Sequence, residues 1–275
     1  MNIPFTKAHG AGNDFLLTWQ EEAPAAGLPE LARAICERHT GVGADGWMLV
    51  SRNAGDDCDA GIRLFNSDGS EPELSGNGTR CAAAFLLRAG FGAETIRIRT
   101  GAGIKHLRLL SREGLRFSFE MNMGRPKFPA ERFDLQLADG AREVTLVWVG
   151  NPQCVVFVKN FEFDWRRVGA EIETHPHFAD RTNVSFVRVV NRDELDVRFY
   201  ERGAGETMSS GTGSTGAFAA AVQLGLAARE ASVLTPAGPL ALRWTDAIYL
   251  AGPAEITADG TYFATALVRT QELRK

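Results

Sequence analysis

Two short glycine-rich phrases contain the residues of this sequence that could do chemistry. They are SGNG at residues 75–78 and SGTG at residues 210–213, and each leads into an alanine-rich apolar run. A serine hydroxyl can take part in proton transfer or nucleophilic attack when a base activates it. Backbone N–H groups at a helix N-terminus are unpaired and partly positive, and glycine lets a ligand approach them closely. Each phrase therefore predicts a site for a carboxylate, or for the enolate-like charge that develops when the neighbouring carbon loses a proton.

The two phrases have other interpretations when each is taken alone. Glycine, serine and threonine commonly cap helices and turn corners. Residues 211–216 (GTGSTG) also match the G-x-G-x-x-G pattern of dinucleotide-binding proteins. No strand immediately precedes that match, and no Walker lysine follows either phrase, so a nucleotide site is not expected. Two copies at matched positions favour a ligand site over simple helix caps.

The phrases belong to a repeat with a period of about half the chain. Ser75 and Ser210 lie 135 residues apart, and the same offset aligns the glycines and alanines that follow them. It also aligns residues 100–103 (TGAG) with residues 235–238 (TPAG). In a chain of 275 residues, this offset indicates an ancient duplication and not a short repeat array.

The elements around the repeat predict an α+β fold. Each half has short strands rich in Val, Ile, Phe and Arg, and one strongly apolar helix, expected over residues 80–88 and 216–227. Because such a helix must be buried, we expect each half to wrap a curled, mostly antiparallel sheet or barrel around it. The two domains would be related by a pseudo-two-fold axis, with the active site in the cleft between them. The predicted strands include TIRIRT, LRFSFEMNM, EVTLVWVG, NVSFVRVV and LDVRFYERG.

A change in composition predicts where the domains divide. Residues 118–130 are enriched in proline and charge, which is typical of a boundary. We therefore expect an N-terminal domain of residues 1–120, to which residues 265–275 return, and a C-terminal domain of residues 121–264. The alternative is a single α+β domain whose glycine turns match by coincidence.

Composition restricts the classes of partner. The net charge of -4 gives no basic footprint for nucleic acid, and no apolar stretch is long enough for a membrane span or a signal peptide. The four cysteines have no Cys-x-x-Cys spacing and the five histidines form no metal motif. We expect a cytoplasmic protein with reduced thiols, no metal or other cofactor, and a small-molecule partner.

Six segments resemble, in order and spacing, the diaminopimelate epimerase family. The resemblance implies two similar domains with one central helix each, and a reaction that inverts the α-carbon of an amino acid without pyridoxal phosphate or metal. LL-diaminopimelate would become meso-diaminopimelate, a precursor of lysine and peptidoglycan. Members are often dimers, so the resemblance is compatible with a homodimer. The six segments are FTKAHGAGNDF, RHTGVGADG, FNSDGSEPELSGNGTRC, GNPQC, RTNVSF and YERGAGETMSSGTGS.

The sequence departs from the family at the catalytic positions. The family's two cysteines, one a thiolate base and the other a thiol acid, align with Ser75 and Ser210. The histidine that follows Gly-Asn-Pro is Gln153 here, whereas the glutamate that assists the second cysteine is present as Glu201. A thiol has a pKa of about 8.5, while a serine hydroxyl is a much weaker acid. Two-thiol catalysis therefore cannot operate. Because Gln153 and residues 213–217 (GSTGA) differ as well, natural divergence is favoured over an engineered substrate trap.

The ligand-binding residues of the family are retained. Arginine suits such a site because its planar fork can grip a carboxylate with two hydrogen bonds. The resemblance implies substrate contacts by Asn13 and Asn66, a hold on the far amino-acid end by Asn151, Asn183, Glu201 and Arg202, and α-carboxylate binding by the backbone of Gly76, Asn77, Gly211 and Thr212.

Three functional hypotheses remain open at this point. The first is an epimerase that moves an α-proton with its serines, water or another group. The second is a divergent isomerase or lyase on the same fold that acts on another amino acid and uses Glu201 as a single base. The third is a catalytically silent amino-acid-binding protein. Cys81 and Cys154 lie close to the motifs, but we expect neither to be catalytic: Cys81, on the predicted helix, is expected to point into the core, and Cys154 follows Gln153 at the start of an apolar strand.

Overall fold

The computed structural model describes residues 1–52, 54–92 and 94–264 as an α+β protein. Its described part contains sixteen strands and four α-helices, with one 3₁₀-helix at Gln20–Glu22. Contacts divide it into two units, residues 1–119 with 253–264 and residues 120–252. The helices are α1 (Leu28–Cys36), α2 (Gly76–Arg88), α3 (Trp165–Glu173) and α4 (Gly211–Gln223).

The first unit is a sheet that closes around α2. Its strands are β1 (Asn2–Gly10), β2 (Asn13–Trp19), β3 (Gly46–Ser51), β4 (Ala60–Asn66), β5 (Thr95–Thr100) and β6 (Gly103–Glu113), with parts of β7 (Arg116–Gly124) and β16 (Ile248–Phe263). The strands follow chain order from β1 to β7, and β16 lies next to both β7 and β1, which closes the sheet. Helix α2 packs on β1 and β2. Residues 76–86 of this helix are all buried, as the apolar composition predicts.

The second unit arranges its strands around α4. The strands are β8 (Lys127–Leu137), β9 (Gly140–Trp148), β10 (Pro152–Phe157), β11 (Asn183–Asn191), β12 (Glu194–Glu201), β13 (Gly205–Thr207), β14 (Glu230–Thr235) and β15 (Gly238–Trp244). They lie in the order β16, β15, β14, β12, β11, β10, β9, β8, and β13 pairs with β12. Helix α4 packs on β9, β10 and β11, and its residues 211–221 are all buried. Both units agree with the expected curled sheet around one helix, and most of their strand pairs are antiparallel.

The two helices have the same local geometry at the same repeat positions. Ser75 and Ser210 are their N-caps, with φ/ψ of -125°/119° and -132°/121°. The turns that follow each helix also match. The Thr100 hydroxyl donates to Gly103 O at 2.7 Å, and the Thr235 hydroxyl donates to Gly238 O at 2.7 Å. The structure therefore repeats with the period of 135 residues that the sequence indicated.

Both central helices begin earlier than the sequence analysis expected. They start at Gly76 and Gly211 instead of residues 80 and 216, and α4 ends at Gln223 instead of residue 227. The physical reason is that the glycines of both phrases form the first turn of the helix. The serine before them is the N-cap, a position that strongly favours serine. Gly90 and Gly225, with φ of 89° and 73°, follow the helix ends in the left-handed conformation common there.

The division between the units differs in part from the expected domains. The first boundary lies at residues 119/120, inside the expected stretch 118–130. Residues 253–264 group with the first unit and not with the second. The physical reason is that β16 continues past residue 252 and pairs antiparallel with β1, from His9↔Glu255 to Asn2↔Phe263. Residues 265–275, expected to return to the first domain, lie outside the described residues.

Candidate functional site

The serines of the two phrases are helix caps, and the glycines allow close packing. The N–H of Gly78 donates to Ser75 Oγ at 3.1 Å, and the N–H of Gly213 donates to Ser210 Oγ at 3.0 Å. A Cβ at Gly78 would lie 2.7 Å from Met48 Cε, and one at Gly213 would lie 2.8 Å from the Phe199 ring. At Gly213 a side chain would force the Phe199 ring to shift, whereas at Gly78 the end of the flexible Met48 side chain would have to move. The remaining N–H groups of each first turn are the donors that an anion would meet.

Ser210 is hydrogen-bonded to the partly buried carboxyl group of Glu201. Its hydroxyl donates to Glu201 Oε1 at 2.6 Å, and the Thr207 hydroxyl donates to Glu201 Oε2 at 2.7 Å. Residue 201 ends β12, residue 207 ends β13, and residue 210 caps α4, so the hairpin before the helix assembles the group. Burial raises the pKa of Glu201 above its ordinary value, although the bonds from Ser210 and Thr207 act to lower it. A carboxylate with a raised pKa is a better proton acceptor, so Glu201 polarises the Ser210 hydroxyl through this hydrogen bond.

Ser75 has no comparable partner. Its Oγ accepts from the N–H of Gly78, and among the described residues no carboxylate accepts its hydroxyl proton. At the 135-residue offset, the position of Glu201 is occupied by Asn66, whose side chain donates to Ser70 Oγ at 3.0 Å within its own turn. The two serines are therefore alike as caps but different in their chemistry.

Gln153 lies in a chain of amides beside α4. Its Nε2 donates to Asn151 Oδ1 at 2.7 Å, and Asn151 Nδ2 donates to Thr212 Oγ1 at 3.3 Å. Gln153 is 1% exposed and its Oε1 is buried without a hydrogen-bond partner among the described residues. A Cβ at Gly216 would lie 2.9 Å from Gln153 Cγ. An amide cannot carry a proton as imidazole does, so Gln153 can orient a ligand or water but cannot act as an acid or base.

Asn183 and Arg202 are joined through the backbone. Asn183 Nδ2 donates to Pro152 O at 3.0 Å, and its Oδ1 accepts from the Arg202 N–H at 3.0 Å. The Arg202 side chain donates to Asp180 O at 3.1 Å and is exposed. Asn183 is thus fixed between β10 and the turn after β12, whereas the Arg202 guanidinium keeps donors available for a ligand.

In the first unit, two of the expected asparagines contact each other. Asn77 Nδ2 donates to Asn13 Oδ1 at 3.3 Å, and Asn13 Nδ2 donates to Asp45 Oδ2 at 2.6 Å. Gly76 and Asn77 occupy the first turn of α2 next to Ser75. Asn66, at the end of β4, has its side-chain hydrogen bond to Ser70.

Three residues of these networks were missed by the sequence analysis. They are Asp45, Thr207 and a fully buried arginine, Arg80, which donates to Asn77 Oδ1. Each lies inside one of the segments that carry the family resemblance (ADG, GETMSS and GNGTRC). Their presence in those segments was the available signal, but only the fold shows which side chains they touch.

The cysteines are buried free thiols. Cys36, Cys58, Cys81 and Cys154 are all buried, which confirms the expectation that Cys81 points into the core. Burial raises the pKa of Cys36 and Cys81 to about 12, and it raises that of Cys154 further. A buried thiol with so high a pKa supplies almost no thiolate at neutral pH, so none of these three can replace the family's catalytic cysteines.

Two further features bear on the class of protein. Within residues 1–52, 54–92 and 94–264, no group of three or more His, Cys, Asp or Glu side chains is placed to hold a metal ion. In the same part of the chain, none of the helices has the length and apolar character needed to span a membrane.

Comparison with solved structures shows the same fold in racemases and isomerases. A hydroxyproline epimerase from Agrobacterium vitis, solved with bound trans-4-hydroxy-L-proline, superposes with a TM-score of 0.76 at 14% identity, covering 97% of this chain and 94% of the other. A phenazine biosynthesis protein of the PhzF family from Bacillus anthracis superposes with a TM-score of 0.71 at 15% identity, covering 95% of this chain and 99% of the other.

Comparison of sequences identifies the family. The family model described as diaminopimelate epimerase matches residues 5–129 and 145–257. The diaminopimelate epimerase of Pelotomaculum thermopropionicum is 39% identical, covering 94% of this chain and 98% of that protein. That of Desulfitobacterium hafniense is 38% identical, covering 96% and 100%. The chain therefore belongs to the diaminopimelate epimerase family.

Proposed function

We propose that this chain epimerises LL-diaminopimelate to meso-diaminopimelate without pyridoxal phosphate or metal, and that the pair Ser210–Glu201 removes the α-proton. Membership of the family supports the substrate and the reaction type. The observation that carries the proposal is the 2.6 Å hydrogen bond from the Ser210 hydroxyl to the partly buried Glu201 carboxylate. It gives this protein a proton acceptor at the position where the family has a cysteine.

The proton moves in a relay of two transfers. Ser210 Oγ takes the proton from the α-carbon while its own hydroxyl proton passes to Glu201 Oε1, so no free alkoxide has to form. The C–H electron pair becomes an enolate-like charge on the ligand carboxylate. Helix N-terminal N–H groups, including those of Gly211 and Thr212, are suited to stabilise this charge. Reversal of the relay returns the proton to the same face of the carbon.

Inversion requires a second group that protonates the opposite face, and the resemblance assigns that role to Ser75. Once Ser75 has given its proton, it must recover one, yet no carboxylate accepts from or donates to its hydroxyl among the described residues. Proton return by Ser75 is therefore the slower half of the reaction. The chain should exchange the α-proton with solvent at one configuration faster than it inverts that configuration.

The remaining residues bind the substrate in this proposal. Asn183 and Arg202 hold the far amino-acid end, because Arg202 keeps guanidinium donors available and Asn183 fixes the adjoining backbone. Gln153 orients the ligand through the side-chain oxygen that lacks a partner, and Asn13 with Asn77 offers amide groups in the first unit.

The first experiment is proton NMR of diaminopimelate in D₂O. LL- and meso-diaminopimelate are incubated separately with the protein, and loss of the α-proton signal is compared with the appearance of the other diastereomer. We expect exchange at one configuration to exceed inversion about tenfold or more. Glu201→Gln, which keeps an acceptor for Ser210 but cannot take a proton, should lower exchange by about 10²- to 10⁴-fold.

The outcomes separate the alternatives. Inversion at the same rate as exchange would contradict the assignment of Ser75 as the slow group. Exchange that survives in Glu201→Gln would remove the relay from the proposal. Binding of diaminopimelate without any exchange would identify a silent amino-acid-binding protein, and neither binding nor exchange would direct the search to other amino acids or to a lyase.

A cytoplasmic location and a homodimer also belong to the proposal. Both rest on family membership alone.

A further inference from the structure

Arg80 is a buried cation directly below the first turn of α2. Its side chain is fully buried, with a relative exposure of 0%. Nη2 donates to Asn77 Oδ1 at 2.5 Å, Nε donates to Pro253 O at 3.1 Å, and Nη1 donates to Gly76 O at 3.4 Å. Two of the three partners are therefore the residues that follow Ser75 at the helix N-terminus.

None of the partners of Arg80 carries a negative charge. Within the described residues, no Asp or Glu forms an ion pair with it, whereas buried Glu173 pairs with Arg181. Burial lowers the pKa of Arg80 to about 10, which still leaves the guanidinium charged at neutral pH. Burying a charge is expensive unless an opposite charge compensates it. In the described residues this compensation is missing.

The second unit does not repeat this feature. At the 135-residue offset, Arg80 corresponds to Thr215, a neutral residue whose hydroxyl donates to Gly211 O at 2.7 Å. Glu201 of the second unit, whose carboxyl group is partly buried, corresponds to Asn66 in the first. The duplicated motifs have thus diverged in opposite directions, with an added cation in the first unit and an added acid in the second.

We propose that Arg80 is a positioning residue that supplies the counter-charge for a ligand carboxylate at the N-terminus of α2, and that it acts through Asn77. The bond to Asn77 Oδ1 fixes the orientation of that amide, so its Nδ2 group faces outward from the guanidinium, and the bond to Gly76 O holds the first turn. The positive charge adds to that of the helix N-terminus, where an anion is already favoured.

This inference rests on the proposed function and assigns a different role to each of the two motifs. The acid of the second unit accepts the proton, and the cation of the first unit stabilises the negative charge that the carboxylate gains when the proton leaves. The effect is electrostatic and buried, so salt should screen it little.

The test measures binding and therefore does not depend on turnover. The dissociation constants of LL-diaminopimelate and of its diamide, which keeps both ammonium groups but has carboxamides in place of both carboxylates, are determined by calorimetry for the unaltered chain, Arg80→Met, Arg80→Lys and Arg88→Met. Arg88 is the matched control because it lies at the other end of α2 and pairs with Asp259. Thermal unfolding is recorded for each variant.

We expect Arg80→Met to weaken diaminopimelate binding about 10- to 100-fold and not to weaken diamide binding comparably, because the positive charge behind the first turn of α2 and the fixed orientation of Asn77 are lost and only the dicarboxylate depends on them. Arg80→Lys keeps the charge but not the planar guanidinium, so its dissociation constant for diaminopimelate should lie between those of the unaltered chain and Arg80→Met. Arg88→Met should bind both ligands normally. If Arg80→Met does not fold, the loss of preference for the dicarboxylate in Arg80→Lys serves as the same readout.

Two results would overturn the inference. Equal weakening of the dicarboxylate and the diamide, accompanied by a lower unfolding temperature, would make Arg80 purely structural while leaving the proton relay of Ser210 intact. Unchanged binding of both ligands would remove Arg80 from the site altogether. If the unaltered chain binds no diaminopimelate, the proposed function fails first and the inference fails with it, whereas binding without proton exchange contradicts only the proposed function.

Discussion

At the scale of single residues, the replacement of cysteine by serine changes which group must hold the proton. A cysteine can store the negative charge itself, whereas serine must pass its proton to a neighbour. Glu201 can receive that proton because burial raises its pKa and because Ser210 and Thr207 hold its two oxygens. The sequence identified the glutamate through family resemblance, but burial and both hydroxyl contacts depend on how β12, β13 and α4 come together.

The raised pKa of Glu201 has a consequence for stability. A carboxyl group whose pKa is raised on folding contributes stability below its unfolded pKa, near 4.5, and loses it as pH rises through the folded pKa. Glu201→Gln remains neutral throughout. We therefore expect Glu201→Gln to have a higher free energy of unfolding than the unaltered chain at pH 8. The difference between the two free energies should shrink toward pH 4.5, as measured by urea unfolding.

The matched control for that prediction is Glu206→Gln. Glu206 lies in the adjoining strand but is exposed and pairs with Arg166. The difference in free energy of unfolding between Glu206→Gln and the unaltered chain should not increase with pH. α-Proton exchange by the unaltered chain should rise with pH over the same range in which the stability gap opens, because only the ionised carboxylate accepts a proton. A stability gap that does not change between pH 4.5 and pH 8 would show that Glu201 titrates normally.

At the scale of elements, a side chain of β10 fills the space that a side chain at one position of α4 would need. Gln153 on β10 lies against Gly216 on α4, and a Cβ there would come within 2.9 Å of Gln153 Cγ and 3.0 Å of its Cβ. In the sequence, Gln153 and the phrase GSTGA are two separate departures from the family. The packing joins them, since the strand residue fits only where the helix has no side chain.

A double-mutant cycle tests this coupling. Gly216→Ala improves helix propensity by about 1 kcal/mol, but it also forces Gln153 to move, which costs about 1–3 kcal/mol. We expect the single substitution to lower the free energy of unfolding, and the same substitution in a Gln153→Gly background, which removes both the Cβ and the Cγ of residue 153, to raise it by up to about 1 kcal/mol. Chemical unfolding of the four proteins measures the coupling. Additive effects of the two substitutions would mean that the residues do not compete for space.

At the scale of the whole molecule, the duplication was the most informative pattern in the sequence. The period of 135 residues predicted two similar units with one buried helix each, and the N-caps and turns repeat with that period. Periodicity could not predict that β16 continues past residue 252 and pairs with β1, because long-range strand pairing leaves no local trace in the sequence. It also could not predict the opposite divergence of the two motifs. Within the part of the chain that the structure describes, buried Arg80 has no ion pair with a carboxylate and partly buried Glu201 has none with a cation.

The role of the replaced catalytic residues can be tested by restoring the family's cysteines and histidine in both units at once. The variant Ser75→Cys, Ser210→Cys and Gln153→His should invert LL-diaminopimelate about 10²-fold or more faster than the unaltered chain, because both positions then carry thiols of pKa near 8.5. Inversion is followed by chiral separation of the diastereomers. Ser210→Cys alone is the control, and it should raise proton exchange without an equal rise in inversion, since Ser75 still limits return of the proton. If the triple variant binds diaminopimelate but does not invert it, the serines are not the cause of slow inversion, and substrate placement by residues such as Arg80 and Asn77 has changed as well.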